Sequence, residues 1–255
     1  IYLFSSKINK FIMIVLPSYF KIISFPIYYL IHYNYFFGII HKTFFKTFNY
    51  KKFKFSLNNL KFPTSSYSSF LWRTYELNDR VLIERNLEKK HKCIIIGGGI
   101  GFIGVLTFHL TKNKIILFEI NKELKNLLNS NLKRNYVKFR LFENNLTLDK
   151  KFNKNSYFTS ENFAINSIFR KSKKKSFFKN IHFTKIKNFN LYNTLIIDGE
   201  GIEKHYIDNL NKIKNIRYIF FEFHHDIFNE KKKIKIFNQL KKNKFFLKDK
   251  FVNSY

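Results

Sequence analysis

The stretch Ile94–Gly104, IIIGGGIGFIG, decides the fold of this chain. It places five glycines in eight positions, although the 255-residue sequence contains only 8 glycines. Glycine is favoured where the backbone takes a positive φ or approaches a ligand closely, and elsewhere it weakens helices and strands. An apolar strand that turns through glycines into the helix-like run Phe102–Leu110 predicts a bend with exposed backbone amides at a sheet edge.

Four further apolar runs repeat this strand pattern, with helical segments between them. With the strand before the bend, the runs are Cys93–Ile96, Lys114–Glu119, Val137–Phe142, Thr194–Ile197 and Ile216–Phe223. Strands that alternate with helices predict right-handed crossovers and a mainly parallel sheet. We therefore expect an α/β Rossmann-like fold with helices on both faces and a seven-stranded sheet, whose last two strands come from residues 244–255. Residues 145–192 are expected to form an insertion of loops and small strands.

Residues 1–73 differ in composition from residues 74–255. No acidic residue occurs before Glu76, and all three prolines lie in this part. The segment PTSSYSS reads as a junction, so we place a domain boundary there. Ile22–Ile40 carries no formal charge over about the length of a membrane span. This basic, apolar region is therefore expected to be accessory to the core or membrane-associated.

The net charge of +30 and the single cysteine limit the partners and the compartment. Such a charge favours nucleic acid or an anionic membrane as partner. The lysines are spread along the chain, however, and no zinc-finger spacing, aromatic RNA-binding signature or arginine cluster accompanies them, so no nucleic-acid partner is expected. Cys93 excludes an internal disulfide and lies in an apolar strand. It fits a reducing compartment, which favours a cytoplasmic location with or without peripheral membrane contact.

Glu119 ends the second strand, where a carboxylate can accept hydrogen bonds from both hydroxyls of a ribose. Together with the glycine bend, this position favours an adenosine-containing ligand. Gly99, Gly101 and Gly104 also satisfy G-x-G-x-x-G, which leaves both a nicotinamide dehydrogenase and an S-adenosylmethionine enzyme open. The sequence lacks a recognisable Tyr-x-x-x-Lys of a dehydrogenase.

A second glycine segment, LIIDGEGIE, follows the fourth strand and places Asp198 and Glu200 at its carboxyl end. Glu222 and His224 end the fifth strand. Because the carboxyl ends of parallel strands share one sheet edge, we expect these side chains to converge beside the cofactor's reactive end. Glu203 is interpreted as a helix N-terminal acid that the dipole favours. No His, Cys and Asp cluster at metal-ligand spacing is evident, and no metal site is expected.

The segments IIIGGGIGFIG, LFEINKELKNLLNSNLKRN, LIIDGEGIE and IFFEFH occur in this order. In this respect the chain resembles the FkbM family of S-adenosylmethionine-dependent methyltransferases, over about residues 74 to 255. The last two segments match the family's Asp-x-Glu-Gly-x-Glu and Ile-Glu-x-His phrases. Position 95 is Ile where related enzymes usually carry an acid. The resemblance implies a class I methyltransferase fold with S-adenosyl-L-methionine as cofactor.

The resemblance also implies O-methylation of a sugar hydroxyl in a polysaccharide, glycolipid or secondary metabolite, so that the partner is a small-molecule or glycan acceptor. Asp198 would take or orient the hydroxyl proton. The other implied catalytic residues, which would grip polar substrate groups, are Glu200, Glu222 and His224. The implied cofactor contacts are Gly97, Gly99 and Gly101 for the methionine and ribose, Glu119 for the ribose hydroxyls, and Glu143 or Asn144 for the adenine.

Overall fold

The computed structural model describes residues 35–58, 62–151, 156–159, 174–199, 201–224 and 229–255. The chain forms two compact units. The larger comprises Thr47–Phe62 and Glu76–Tyr255, and the smaller Ile1–Lys46 and Pro63–Tyr75. Residues 47–62 belong to the larger unit, and the domain boundary expected between residues 73 and 74 stays a prediction.

The helices and strands are numbered in chain order. The strands are β1 (Thr47–Tyr50), β2 (Phe53–Ser56), β3 (Cys93–Ile96), β4 (Ile115–Phe118), β5 (Phe139–Phe142), β6 (Asn144–Thr147), β7 (Ser156–Thr159), β8 (Lys174–Phe177), β9 (Lys179–His182), β10 (Thr194–Ile197) and β11 (Tyr218–Phe221). The α-helices are α1 (Tyr35–Phe44), α2 (Tyr67–Leu71), α3 (Leu77–Asn86), α4 (Phe102–Thr111), α5 (Lys125–Arg134), α6 (Glu203–Asp208) and α7 (Glu230–Lys242).

The central sheet has five parallel strands in the order β11-β10-β3-β4-β5. Every residue of β3, β4 and β10 is buried, whereas the edge strands β5 and β11 are mostly half-buried. Strands covered on both faces must be apolar throughout, which explains why the central ones read as continuous hydrophobic runs. Cys93 is buried in β3, as its apolar surroundings predict. The expected α/β Rossmann-like fold is confirmed.

The expectation of seven strands is wrong for the part of the sheet that the structure describes, which contains five. Residues 253–255 run antiparallel to β11, and Tyr255 and Phe221 exchange two backbone hydrogen bonds of 2.9 Å. The pairing extends only to an isolated bridge between Glu222 and Ser254. Before it, residues 244–250 form no strand, because Lys244 takes φ 63° just after α7 and Phe246 faces solvent.

The insertion between β5 and β10 contains small strands, as predicted, within the residues that the structure describes. β6 pairs with β9 in parallel, and β7 pairs with β8 antiparallel. Each pair forms a two-stranded sheet separate from the central one.

The strand order creates a crevice at one edge of the central sheet. From β3 the chain continues to β4 and β5 on one side, and it later returns to β10 and β11 on the other. The connections that leave β3 and β10 therefore diverge at their carboxyl ends. In open α/β sheets, ligands bind at such a switch point. The glycine bend follows β3 and the segment of Asp198 follows β10, so both candidate segments lie there.

The β1–β2 hairpin, which is part of the larger unit, packs against α4 through aromatic side chains. The rings of Phe48, Tyr50 and Phe55 lie with their centroids 5.3–5.6 Å from the ring of Phe102, the first residue of α4. These side chains are all buried, with exposed fractions of at most 5%. The hairpin therefore covers the start of the helix that follows the glycine bend.

Two buried asparagines form hydrogen bonds with the backbone of β2: Asn131 lies in α5, and Asn135 directly follows this helix. The Asn131 side chain accepts a hydrogen bond from the Ser56 amide (2.7 Å) and donates to the carbonyl oxygens of Ser56 (3.1 Å) and Ile100 (2.9 Å). Asn135 repeats the pattern with the backbone of Lys54. A side-chain amide thus takes the place of a neighbouring strand, and Asn131 joins the hairpin to the glycine bend.

The smaller unit packs α1 against α2 and the preceding turn of 3-10 helix. His41 of α1 is 4% exposed and lies against the rings of Tyr67 and Phe70. Burial lowers the pKa of His41 from 6.5 to about 4. Of the apolar stretch 22–40, residues 22–34 lie outside the described residues. Within the described part of the chain, no helix combines the length and apolar character that crossing a membrane requires.

Candidate functional site

The glycine bend lets the segments after β3 and β10 touch. Gly97 takes φ 87°, and a Cβ atom at this position would lie 1.8 Å from the Asp198 carbonyl oxygen. No L side chain fits there without moving the backbone. Gly101, at φ 92°, directly precedes α4 and sets the helix direction. The Asp198 amide donates a 2.9 Å hydrogen bond to the Ile96 carbonyl, which fixes the two segments side by side.

Glu119 reaches from the end of β4 to the glycine bend. Its Oε2 atom accepts hydrogen bonds from the amides of Gly98 and Gly99, both at 2.9 Å. Its Oε1 atom accepts a third from the Asn121 amide at 2.7 Å. Burial raises the pKa of Glu119, and the three amides act in the opposite direction by stabilising the charged form. The carboxylate is thus fixed at the switch point before any ligand binds.

A group of acidic side chains surrounds His224 on the neighbouring side of the crevice. His224 Nε2 lies 3.4 Å from Asp198 Oδ1 and 3.6 Å from Glu203 Oε1. One ligand atom each from Asp198, Glu222 and His224 lies within 4.8 Å of the others. We call Asp198, Glu203, Glu222 and His224 the acid cluster. It joins the ends of β10 and β11 to the start of α6.

Glu203 is the first residue of α6, as the dipole interpretation predicts, but it is also buried to an exposed fraction of 1%. Its Oε1 atom accepts a hydrogen bond from the Gly199 amide at 3.2 Å. Burial raises the pKa of Glu203 to about 7, and the nearby His224 imidazole moderates the rise. The residue therefore belongs to the site as well as to the helix end.

Asp79 of α3 lies beside the acid cluster, and sequence reasoning did not select it. Burial raises its pKa to about 7, the charge of Asp198 adds to the rise, and Ser254 and His224 oppose it. Asp79 lies more than a hundred residues before Asp198 in the chain, and no local motif marks it. Only the packing of α3 against the strand ends brings these carboxyl groups together.

The structure separates the predicted residues into two groups and leaves three aside. Gly97, Gly99, Gly101 and Glu119 meet at the glycine bend, and Asp198, Glu222 and His224 meet in the acid cluster. Glu200 lies outside the described residues. Glu143 is exposed and pairs with Lys125 at 2.6 Å, and Asn144 begins β6 opposite Lys179. Their role toward an adenine stays a prediction.

A cavity of about 180 Å³ lies beside β11 and α7. It is lined mainly by apolar side chains of β11, α7 and the segment after α7, with Leu82 and Asn86 of α3. None of the candidate residues lines it. The candidate site is therefore the crevice and not this cavity, because the candidate catalytic and cofactor-binding residues are absent from the cavity lining.

The chain is similar to several solved structures. A precorrin-6y C5,15-methyltransferase from Geobacter metallireducens GS-15 is 13% identical, with 64% of this chain and 68% of that chain covered and a TM-score of 0.40. A ribosomal protein L11 methylase from Lactobacillus delbrueckii subsp. bulgaricus is 15% identical, with coverage of 72% and 75% and a TM-score of 0.41.

A third structure, P. horikoshii TYW2 in complex with MeSAdo, is 12% identical, with 77% of this chain and 59% of that chain covered and a TM-score of 0.44. No protein-family model matches the sequence, and no curated protein reaches a significant match. At these identities the likenesses leave the function to be argued from the site itself.

Proposed function

We propose that this chain is an S-adenosylmethionine-dependent O-methyltransferase that acts on a hydroxyl of a sugar or related polyol, as its resemblance to the FkbM family implies. The observation that carries the proposal is the position of Glu119. Its carboxylate is fixed against the amides of Gly98 and Gly99 at the switch point of the sheet, beside the acid cluster. This arrangement offers an adenosine-binding end and a polar acceptor end in one crevice.

The residues at the glycine bend fit an adenosyl ligand. A carboxylate has about four acceptor positions, and backbone amides occupy three of those of Glu119. The one remaining position, on Oε1, suits a hydroxyl of a ribose. Gly97, Gly99 and Gly101 leave the adjacent wall without side chains. Ile95 is 1% exposed within β3, so this position supplies no polar contact to the methionine end.

The acid cluster fits the acceptor end of the proposed reaction. When bound, S-adenosylmethionine supplies a methyl group on a positively charged sulfur, and its transfer to oxygen requires an in-line approach. A sugar hydroxyl is a weak nucleophile, and a nearby proton acceptor assists it. The Asp198 carboxylate would accept the hydrogen bond of that hydroxyl, while Glu222 and His224 hold neighbouring polar groups of the acceptor.

Calorimetric titration with S-adenosylhomocysteine tests the cofactor part of the proposal. We expect wild type to bind and Glu119→Ala to bind at least about tenfold more weakly, because a hydrogen bond from a ribose hydroxyl to a charged acceptor contributes about 1.5–3 kcal/mol. Glu123→Ala, an exposed acid on the same connection, is the matched control and should bind as wild type does. Thermal melts of both variants establish that they are folded.

The same titration with NADH addresses the dehydrogenase interpretation. NADH binding without S-adenosylhomocysteine binding would overturn the proposal. The acceptor class is tested by incubating the protein with methyl-labelled S-adenosylmethionine and a panel of mono- and oligosaccharides. A labelled product that survives mild alkali is an ether, as expected for hydroxyl methylation. A label released by mild alkali marks a carboxyl ester and would exclude the O-methylation of a hydroxyl.

A further inference from the structure

The acid cluster concentrates negative charge in a strongly basic protein. The chain has 17 acidic residues against 47 lysines and arginines, yet Asp79, Asp198, Glu203 and Glu222 gather around one imidazole. The charged groups that shift the pKa of Glu203 are His224 and Asp198, and those that shift the pKa of Asp79 are the same two. Neither set includes a lysine or arginine. For Glu203 and Asp79, the charged neighbours that act on the pKa are thus one imidazole and one further carboxylate.

One buried carboxylate oxygen of the cluster lacks a partner within the described residues. Asp198 Oδ1 makes no hydrogen bond there, but it pairs with His224 Nε2 at 3.4 Å. Glu203 is 1% exposed, and its Oε2 atom has neither a hydrogen bond nor an ion pair among these residues. Buried carboxylate oxygens are costly unless they are paired, hydrogen-bonded or coordinated to a metal. The buried Glu203 Oε2 atom, next to two further carboxylates, thus points to a missing positive partner.

The distances within the cluster are those of a coordination shell. Direct N–H···O hydrogen bonds join heavy atoms at about 2.7–3.2 Å. The separation of 3.4 Å between His224 Nε2 and Asp198 Oδ1 is longer than this range. Two ligands that each lie about 2.1 Å from one ion are separated by about 3.0 Å at a right angle and about 3.4 Å at a tetrahedral angle. The upper limit of 4.8 Å within the group allows an opposed pair with a small contraction on binding.

We propose that Asp198, Glu222 and His224 form a binding site for a divalent cation, with the Glu203 carboxylate beside it. Oxygen ligands suit Mg²⁺ and Mn²⁺, whereas an imidazole nitrogen favours a transition metal. The mixed set is best suited to Mn²⁺ or a cation of similar character. Three protein ligands leave coordination positions open toward the crevice.

The open positions would serve the acceptor, a role that rests on the proposed function. A cation at the acid cluster would coordinate the acceptor hydroxyl and lower its pKa, as bound cations do for water. Asp198, Glu222 and His224 would then be ligands of the cation and act on the acceptor through it, in place of the direct contacts described above. Cation binding itself requires neither the cofactor nor the acceptor, so it can be measured separately.

Titration of the metal-stripped full chain with Mn²⁺ tests the site, with free Mn²⁺ followed by electron paramagnetic resonance. We expect saturable binding of one ion in wild type. Asp198→Asn and Glu222→Gln each remove a ligand, and should weaken binding at least about tenfold, since even outer-shell changes cost about 10–100-fold. Asp208→Asn is the matched control, because Asp208 is an exposed acid that pairs with Lys204 outside the cluster. It should bind as wild type does.

Three results would overturn the proposal. The first is the absence of saturable Mn²⁺ binding in wild type. The second is unchanged binding in both cluster variants, which would mark an adventitious ion only. The third is that Asp208→Asn weakens binding as much as the cluster variants do. Thermal melts show which variants are folded. If one of the two cluster variants fails to fold, the other still tests the site. Mg²⁺ in place of Mn²⁺ should bind more weakly if His224 is a ligand. Titration with S-adenosylhomocysteine in the absence of metal reports on the proposed function independently.

Discussion

Replacing Gly97 by alanine tests how strictly the glycine bend depends on a missing side chain. Gly97 takes φ 87°, and an added Cβ would lie 1.8 Å from the Asp198 carbonyl oxygen. Strain at a positive φ costs about 1–3 kcal/mol in a non-glycine residue. Moving the Asp198 segment aside also breaks the 2.9 Å hydrogen bond from its amide to Ile96, worth about 1 kcal/mol. We expect Gly97→Ala to lower the free energy of unfolding by about 2–4 kcal/mol.

Gly104→Ala provides the control within the same motif. Gly104 lies inside α4, and its added Cβ would meet the ends of the Leu117 and Leu132 side chains at 3.0 and 3.1 Å. Those side chains can shift, and alanine gains about 1 kcal/mol of helix propensity over glycine. Its free energy of unfolding should stay within about 1 kcal/mol of wild type in urea denaturation. Equal stabilities of the two variants would refute the interpretation that the bend needs glycine for close contact with Asp198.

Three other substitutions test packing inside the larger unit, for Asn131 and Phe102, and inside the smaller unit, for His41. Asn131→Ala should cost about 2–4 kcal/mol in urea denaturation, since it leaves three buried backbone groups without partners, whereas the exposed Asn126→Ala on the same helix should cost less than about 0.5 kcal/mol. Phe102→Ala should cost about 3–5 kcal/mol, and a smaller loss would contradict the packing of the hairpin rings on α4. The folded pKa of His41 lies below its unfolded value of 6.5, so the unfolded chain binds more protons in acid, and stability should fall by up to about 3 kcal/mol from pH 6.5 to 4. His41→Phe should remove that part of the pH dependence in denaturation series, and an unchanged series would show that His41 is not its source.

The central sheet could be predicted from the sequence because its strands are buried on both faces. The apolar runs at residues 93–96 and 194–197 coincide with β3 and β10, and the bend between β3 and α4 was marked by its glycines. The β1–β2 hairpin was not predicted. Its phenylalanines alternate with lysines in a region where that composition is general, so local sequence does not distinguish them from a solvated surface.

The candidate site was partly predictable for a related reason. Glu119, Asp198 and Glu222 each end an apolar strand, and parallel strands bring their carboxyl ends to one edge. Asp79 belongs to a helix with no strand-end position, and the closeness of its carboxyl group to the acid cluster depends on tertiary packing. The expectation of two closing strands was wrong. Residues 244–255 mix aromatic residues with lysines, and this pattern does not show which aromatic side chains are buried; Phe246, for example, is exposed.

The hydrogen bonds of the Asn131 side chain connect the β1–β2 hairpin to the glycine bend, so substitutions in the hairpin affect the crevice. One nitrogen atom of this side chain holds both the rim of β2 and the carbonyl of Ile100 inside the glycine bend. Substitutions that loosen the hairpin will therefore be transmitted to the bend although they touch none of its residues. A screen for variants with altered ligand affinity should recover positions around Ser56. Such variants would change affinity indirectly, by shifting the glycine bend, and not by contacting the ligand.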